Sequence, residues 1–191
     1  MRIFLVLIFS INILAADKDN IIVKDSVFSA EIKRDDWGVP HIYGKKDADV
    51  SFGLAYAHAQ DDYATLEDVI FALRGELASI YGRNAAVNDY YAHLMNYWGM
   101  IEDRYESDVA DDVKLICEGY ASGINKFLED NPDLKKRSFD LVTAKDIIVG
   151  FSHRMPLMFG LDGVLKKLSK KTPPEFIGSN TDSQEGDFDM L

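Results

Sequence analysis

Few residues of this 191-residue chain combine the side-chain types and spacing that chemistry needs. His58 and Asp62 stand one helical turn apart and could share a metal ion. A lone His–Asp pair is more commonly a surface hydrogen bond, however, and no metal ligand is assigned. Asp61 and Asp62 sit at the junction of two apolar-periodic stretches, where an acidic side chain suits a helix cap. His41 has the chemistry of a general base, but no nucleophile lies near it in sequence, which favours a structural role. Arg74 and Glu76 flank Gly75 inside a helical pattern, where glycine costs about 1 kcal/mol relative to alanine. A close approach to that backbone would explain the glycine, packing more readily than substrate. Cys117, the only cysteine, cannot form a disulfide within the chain. Its place among Val113, Ile116 and Tyr120 makes it a small buried hydrophobe without an activating neighbour. The GxSxG elbow, the HExxH zinc site, the GxGxxG fingerprint and the P-loop are absent. Taken alone, Gly178-Ser179-Asn180 is a turn.

The elements that would position such residues are mostly helical. Val27–Arg34 alternates loosely and predicts a strand, and His41–Gly44 predicts its partner across the turn Asp36-Trp37-Gly38. Asp47 is placed to cap a helix running toward Gln60, whose Gly53, Ala55, Ala57 and Ala59 would admit a second backbone closely. Tyr63, Leu66, Val69, Ile70, Leu73, Leu77 and Ile80 predict an amphipathic helix over 61–81, closed by Gly82. Asp89–Tyr105 carries the same period with a heavy aromatic load. Ser107 is placed to cap the next helix, with Val109, Val113, Ile116, Tyr120, Ile124, Phe127 and Leu128 on its buried side, and Asn131-Pro132 stops it. Thr143-Ala144-Lys145-Asp146 has capping-box spacing and starts a helix through Met155 that Pro156 should kink or break. Leu161, Val164, Leu165 and Leu168 predict one more short helix, ended by Thr172-Pro173-Pro174.

Composition sets the frame. At 47% hydrophobic the chain can bury a core, and its net charge of −11 with no basic patch argues against nucleic acid. Met1-Arg2, the apolar run Ile3–Leu14 and the small residues before Asp17 predict a secretory leader over 1–16, too short to span a membrane. A helical domain over 17–174 follows, and the polar, acidic segment over 175–191 is expected to hold little order, as a linker. Periplasmic residence or secretion is the expected destination.

Three blocks occur in order: Arg34-Asp35-Asp36-Trp37-Gly38-Val39-Pro40-His41-Ile42-Tyr43, then Phe52-Gly53-Leu54-Ala55-Tyr56-Ala57-His58-Ala59-Gln60-Asp61-Asp62, then Arg74-Gly75-Glu76-Leu77-Ala78. Together they resemble the start of the α-subunit of the penicillin acylase family, which includes acyl-homoserine-lactone and lipopeptide acylases. Glu118–Asn125 is similar to that family's helical block. The resemblance implies a mainly α chain with a short N-terminal β-strand pair, the α-subunit part of an αββα N-terminal-nucleophile hydrolase. It implies a precursor that cuts itself before Ser179, whose hydroxyl then attacks an amide while its own α-amine serves as base. It places Phe151–Leu157 where the family lines its acyl pocket, which makes Met155, Met158 and Phe159 candidates for an apolar acyl-binding wall, with core packing as the plain alternative. The implied partners are an acyl-amide small molecule and the β-subunit of the same precursor, with no cofactor. Some relatives carry a carboxylate calcium ligand, and Asp162 lies only in the approximate region. The sequence departs from the family after Asn180, where Thr181–Gly186 is strand-poor, and the chain ends at Leu191 without the large subunit. On this reading the chain alone would not turn over substrate. The competing reading is a secreted, non-enzymatic helical module that binds a ligand or partner through an exposed patch of Tyr90, Tyr91, Tyr97 and Trp98.

Overall fold

Alternation along Ser29–Arg34 puts Ala30 and Ile32 on one face and Glu31 and Lys33 on the other, and the chain folds around that face. The computed structural model describes residues 20–134, 137 and 141–168. The leader over 1–16, the segment over 175–191, the Thr172-Pro173-Pro174 stop and Ser179 lie outside the described residues.

The expected strand pair is present as β2 (Ser29–Arg34) and β3 (Pro40–Gly44), and a third strand, β1 (Asn20–Lys24), precedes it. The sheet is antiparallel in the order β1-β2-β3, with Ile32 opposite both Ile21 and Ile42. Asp25 closes the β1–β2 turn by accepting the Val27 and Phe28 N–H groups, and Ser122 donates to its other oxygen. The sheet's inner face lies on α1 (Asp47–Arg74), which packs on its other side against α5 (Asp111–Asp130). Glycine makes both contacts close. A Cβ on Gly53 would strike Ala30 and Ile42, and one on Gly119 or Gly123 would strike the carbonyl oxygen of Ala48 or Phe52. The core formed this way includes Ile32, Phe52, Ala55, Ile124 and Phe127, with Phe28 stacked on Phe52 and Tyr56 edge-on to Phe127.

Helix boundaries differ from the periodic pattern where single residues set the backbone. The two helices expected over 47–81 form one 28-residue element, kinked at Asp62, whose side chain caps the second segment by accepting the Thr65 N–H. Lys46 occupies the N-cap in place of Asp47, and the Asp49 carboxylate reaches back to the Lys46 N–H. Gly75 is not in mid-helix: at φ 71° it ends α1, and the ring of His93 packs where its side chain would be. The short α2 (Ala78–Tyr81) leads through a turn to α3 (Ala86–Met95). The single helix expected over 89–105 is split, because Asn96 takes a left-handed conformation (φ 50°) between α3 and α4 (Tyr97–Asp108). Ser107 does not cap α5; it lies within α4 and bonds Arg104 and Asp108, while Ala110 is the α5 N-cap. On α5, Cys117, Ile124, Phe127 and Leu128 are buried as expected, but Val113 and Ile116 are exposed. Thr143 and Asp146 form the expected capping box at the start of α6 (Ala144–Pro156).

The chain divides into two compact units, Met1–His153 and Arg154–Leu191. In the second, the end of α6 passes through a wide turn, Leu157–Leu161, with Gly160 at φ 98°, into α7 (Asp162–Leu168).

Candidate functional site

Met155, Met158 and Phe159 follow one another at i, i+3 and i+4 around Pro156 and the wide turn. Pro156 removes one N–H from the ladder but keeps helical angles (φ −61°, ψ −32°), so the chain leaves the helix not at the proline but at Phe159 and Gly160, the latter at φ 98°. All three side chains are open to solvent: Met155 is 48%, Met158 68% and Phe159 80% exposed. Asp162, just beyond, pairs with Lys166 at 3.1 Å.

The first unit holds a separate cleft of about 710 Å³, lined by Arg74, Trp98, Glu102, Tyr105, Lys145 and Asp146 among others. Charged side chains contribute much of its lining. Asp146, fully buried, accepts two parallel hydrogen bonds from Arg74 (2.8 and 2.9 Å) and two more from Thr143. Lys145 pairs with Glu102 at 2.6 Å, and burial pushes the Tyr105 phenol up from its ordinary value. The Arg74–Asp146 pair answers what Arg74 does, but no spacing in the sequence announced it, since the partners are 72 residues apart. The capping-box position of Asp146 was its one visible signal.

The remaining candidates find structural partners. His58 meets Tyr120 through Nδ1 at 2.7 Å and Asp62 caps a helix, so the two are engaged separately. Hydrogen bonding to Thr65 holds the Asp62 carboxyl below its ordinary value. His41 approaches Asp35 at 3.3 Å on the surface, and the backbone N–H of Val39 is the main cause of the lowered Asp35 pKa. Cys117 packs with Tyr105 and Ala144, and burial pushes its thiol up, away from nucleophilic use. The aromatic patch expected of Tyr90, Tyr91, Tyr97 and Trp98 is not formed. Only Tyr90 is well exposed; the Tyr91 and Tyr97 hydroxyls bond each other at 2.9 Å in the interior, and Trp98 donates to the Leu73 carbonyl. That interior polar group was not visible in the sequence: Tyr91 also donates to the His153 carbonyl, and the His153 ring meets Asn88 at 3.2 Å. Among the described residues no group of three or more His, Cys, Asp or Glu could hold a metal, and no helix is long and apolar enough to cross a membrane.

Comparison with known proteins gives these residues a context. A sequence model described as penicillin amidase matches residues 29–166. The acyl-homoserine lactone acylase PvdQ of Pseudomonas fluorescens (strain Pf0-1) is 26% identical over 159 residues, which is 76% of this chain and 20% of that protein. Penicillin G acylase of Escherichia coli is 30% identical over 103 residues, 53% of this chain and 12% of that protein. The chain thus spans about a fifth or less of the length of these relatives. Among solved structures, the thermostable penicillin G acylase from Alcaligenes faecalis superposes with a TM-score of 0.61 at 23% identity, covering 69% of this chain and 74% of that one. That likeness establishes the fold, which is that of the solved penicillin G acylase chain.

Proposed function

Because this chain belongs to the penicillin amidase family, we propose that it is the small-subunit part of an exported acylase that hydrolyses the amide bond of N-acyl compounds. The match over residues 29–166 carries this reading. The coverage figures support the subunit arrangement. This chain covers most of a solved penicillin G acylase chain yet about a fifth of the PvdQ relative, so a polypeptide of comparable length exists as a separate chain in a penicillin G acylase. Substrates are of the penicillin, acyl-homoserine lactone or lipopeptide class, and a large β-subunit from the same precursor is the partner. The leader over 1–16 directs export to the periplasm or beyond, and the short chain is inactive without its partner.

On this reading, cleavage of the Gly178–Ser179 bond frees the Ser179 α-amine, whose ordinary pKa is about 8. As Oγ attacks the amide carbonyl, the hydroxyl proton passes to that amine through a water. The same proton then goes to the departing nitrogen as the C–N bond breaks, leaving an acyl ester on Ser179. A water molecule, deprotonated by the amine, attacks the ester, and the ammonium returns that proton to the departing Oγ as the acid is released. Met155, Met158 and Phe159 offer apolar surface to the acyl chain, which their exposure permits.

The test is a chimaera in which this chain, through Asn180, replaces the matching N-terminal segment of the Pseudomonas fluorescens PvdQ acylase. The expected results are a new fragment whose N-terminal sequence is Ser-Asn and hydrolysis of a fatty-acyl nitroanilide. Ser179→Ala should abolish self-cleavage and lower turnover by several orders of magnitude. A soluble, folded chimaera that stays uncleaved, or activity that survives Ser179→Ala, refutes the assignment.

A further inference from the structure

Trp37 stands at the tip of the β2–β3 hairpin with 90% of its surface exposed. An isolated apolar side chain on a surface is ordinary. What sets this one apart is the backbone beneath it. Asp35 accepts the N–H groups of Trp37 (3.0 Å) and Val39 (2.9 Å) on one carboxylate oxygen, and its other oxygen faces the His41 ring. The Asp35 carbonyl accepts the Gly38 N–H, and Gly38 takes the positive φ of 80° that this turn requires. Arg34 donates to the Gly38 carbonyl at 2.8 Å and, from the same guanidinium, pairs with Asp61 at 2.7 Å and reaches Gln60, so the turn is tied to α1. Turn, strand and helix are locked together, and what they hold out is an indole with 90% of its surface in water, beside the half-exposed Val39. A rigid aromatic whose ordering cost is met before binding is the chemistry of an interface anchor.

We infer that Trp37 is the anchor through which this chain docks onto the large partner subunit, its indole filling an apolar pocket there. The inference rests on the subunit reading above, and two observations choose the occupant. The hairpin tip falls inside the segment matched by the family, residues 29–166, so it belongs to the shared fold. The relatives are about five times longer than the part this chain matches, which leaves a large polypeptide to supply the pocket.

The test labels this chain with 5-fluorotryptophan and titrates it with the remaining C-terminal polypeptide of the Pseudomonas fluorescens PvdQ acylase, expressed separately. The chain has two tryptophans, so Trp98→Phe assigns the two fluorine signals. On binding, the Trp37 signal should shift and lose its dependence on H₂O against D₂O. Trp37→Ala should weaken binding by about 30-fold or more while leaving the thermal melt of the free chain unchanged, and Trp37→Phe should fall between. Binding that is insensitive to Trp37→Ala, or a fluorine signal that stays solvent-exposed in the complex, overturns the anchor alone. Absence of binding by the wild-type chain overturns the subunit reading with it.

Discussion

Replacing Gly119 by alanine sets two effects of opposite sign against each other. Alanine is the better helix former, and in a helix interior the exchange gains about 1 kcal/mol. At Gly119, however, the new methyl would fall on the carbonyl oxygen of Ala48. That atom is backbone, so it cannot swing aside, and the α1–α5 seam must open instead. Opening it loosens the Ser51 hydroxyl bond to the Ile116 carbonyl (2.8 Å) and the Tyr56–Phe127 ring contact (5.6 Å between centroids). Overpacking of this kind costs about 1–3 kcal/mol, and a backbone obstacle belongs at the upper end. The steric term wins, and Gly119→Ala should destabilise by about 2 kcal/mol, a fall of roughly 4–8 °C for a chain of this size. Gly150 is the control. It is helical too, but its added methyl would lie 3.5 Å from Leu73 Cδ2, an ordinary contact, so Gly150→Ala should gain up to about 1 kcal/mol. Thermal unfolding followed by circular dichroism measures both. Gly123 shares the seam, striking Phe52 and Ala55, so the double alanine variant should cost less than the two single variants together. A Gly119→Ala variant as stable as Gly150→Ala refutes the close approach.

Two further outcomes follow from the charged groups. Asp146→Asn keeps the shape of a fully buried side chain but removes the charge that meets Arg74, and urea denaturation should show a loss of about 3 kcal/mol, partly recovered by pairing Asp146→Leu with Arg74→Leu. Asp35 and Asp62 both titrate below the ordinary aspartate value of 3.8, because backbone and side-chain donors favour their charged forms. Their contribution is complete above that value and is lost as the pH falls through it and below. An acid-unfolding profile should therefore flatten in that window when both are changed to asparagine, and a profile identical to wild type would contradict the assignment.

The sequence made some of this legible, for physical reasons. The strands and α1 show because alternation and helical period track burial directly, and the cap at Asp62 shows because acidic residues interrupt an apolar run. The end of α1 at Gly75 does not show, because Leu73, Leu77 and Ile80 keep the helical period across it; a single left-handed residue stops a helix without disturbing the apolar spacing. Asn96 hides the α3–α4 break in the same way. Strand β1 has a signal in Ile21-Ile22-Val23 followed by Asp25, but it lies close behind the expected leader, where a short apolar run does not stand out as a separate element. Partners far apart in sequence, such as Arg74 with Asp146 or Tyr91 with His153, are set by tertiary packing that no local pattern encodes.

Val113 and Ile116 carry a different lesson. Helical period says which side of α5 is apolar but not whether anything covers it, and here those two side chains face water while Ile124 and Phe127, on the same helix, are sealed against α1. Helix α1 is the reason for the division. It is covered on one side by the sheet through Gly53 and on the other by α5 through Gly119 and Gly123, so the core of the first unit is closed by this chain's own residues. Trp37 takes no part in that closure, and Met158 and Phe159, in the second unit, are exposed. Stability and assembly are then separable: substitutions in the glycine seam act on folding, and substitutions at the outward aromatic and methionine positions act on what the chain joins or binds. The subunit reading therefore requires Trp37→Ala to leave unfolding untouched while weakening association, and Gly119→Ala to do the reverse once the chain is folded.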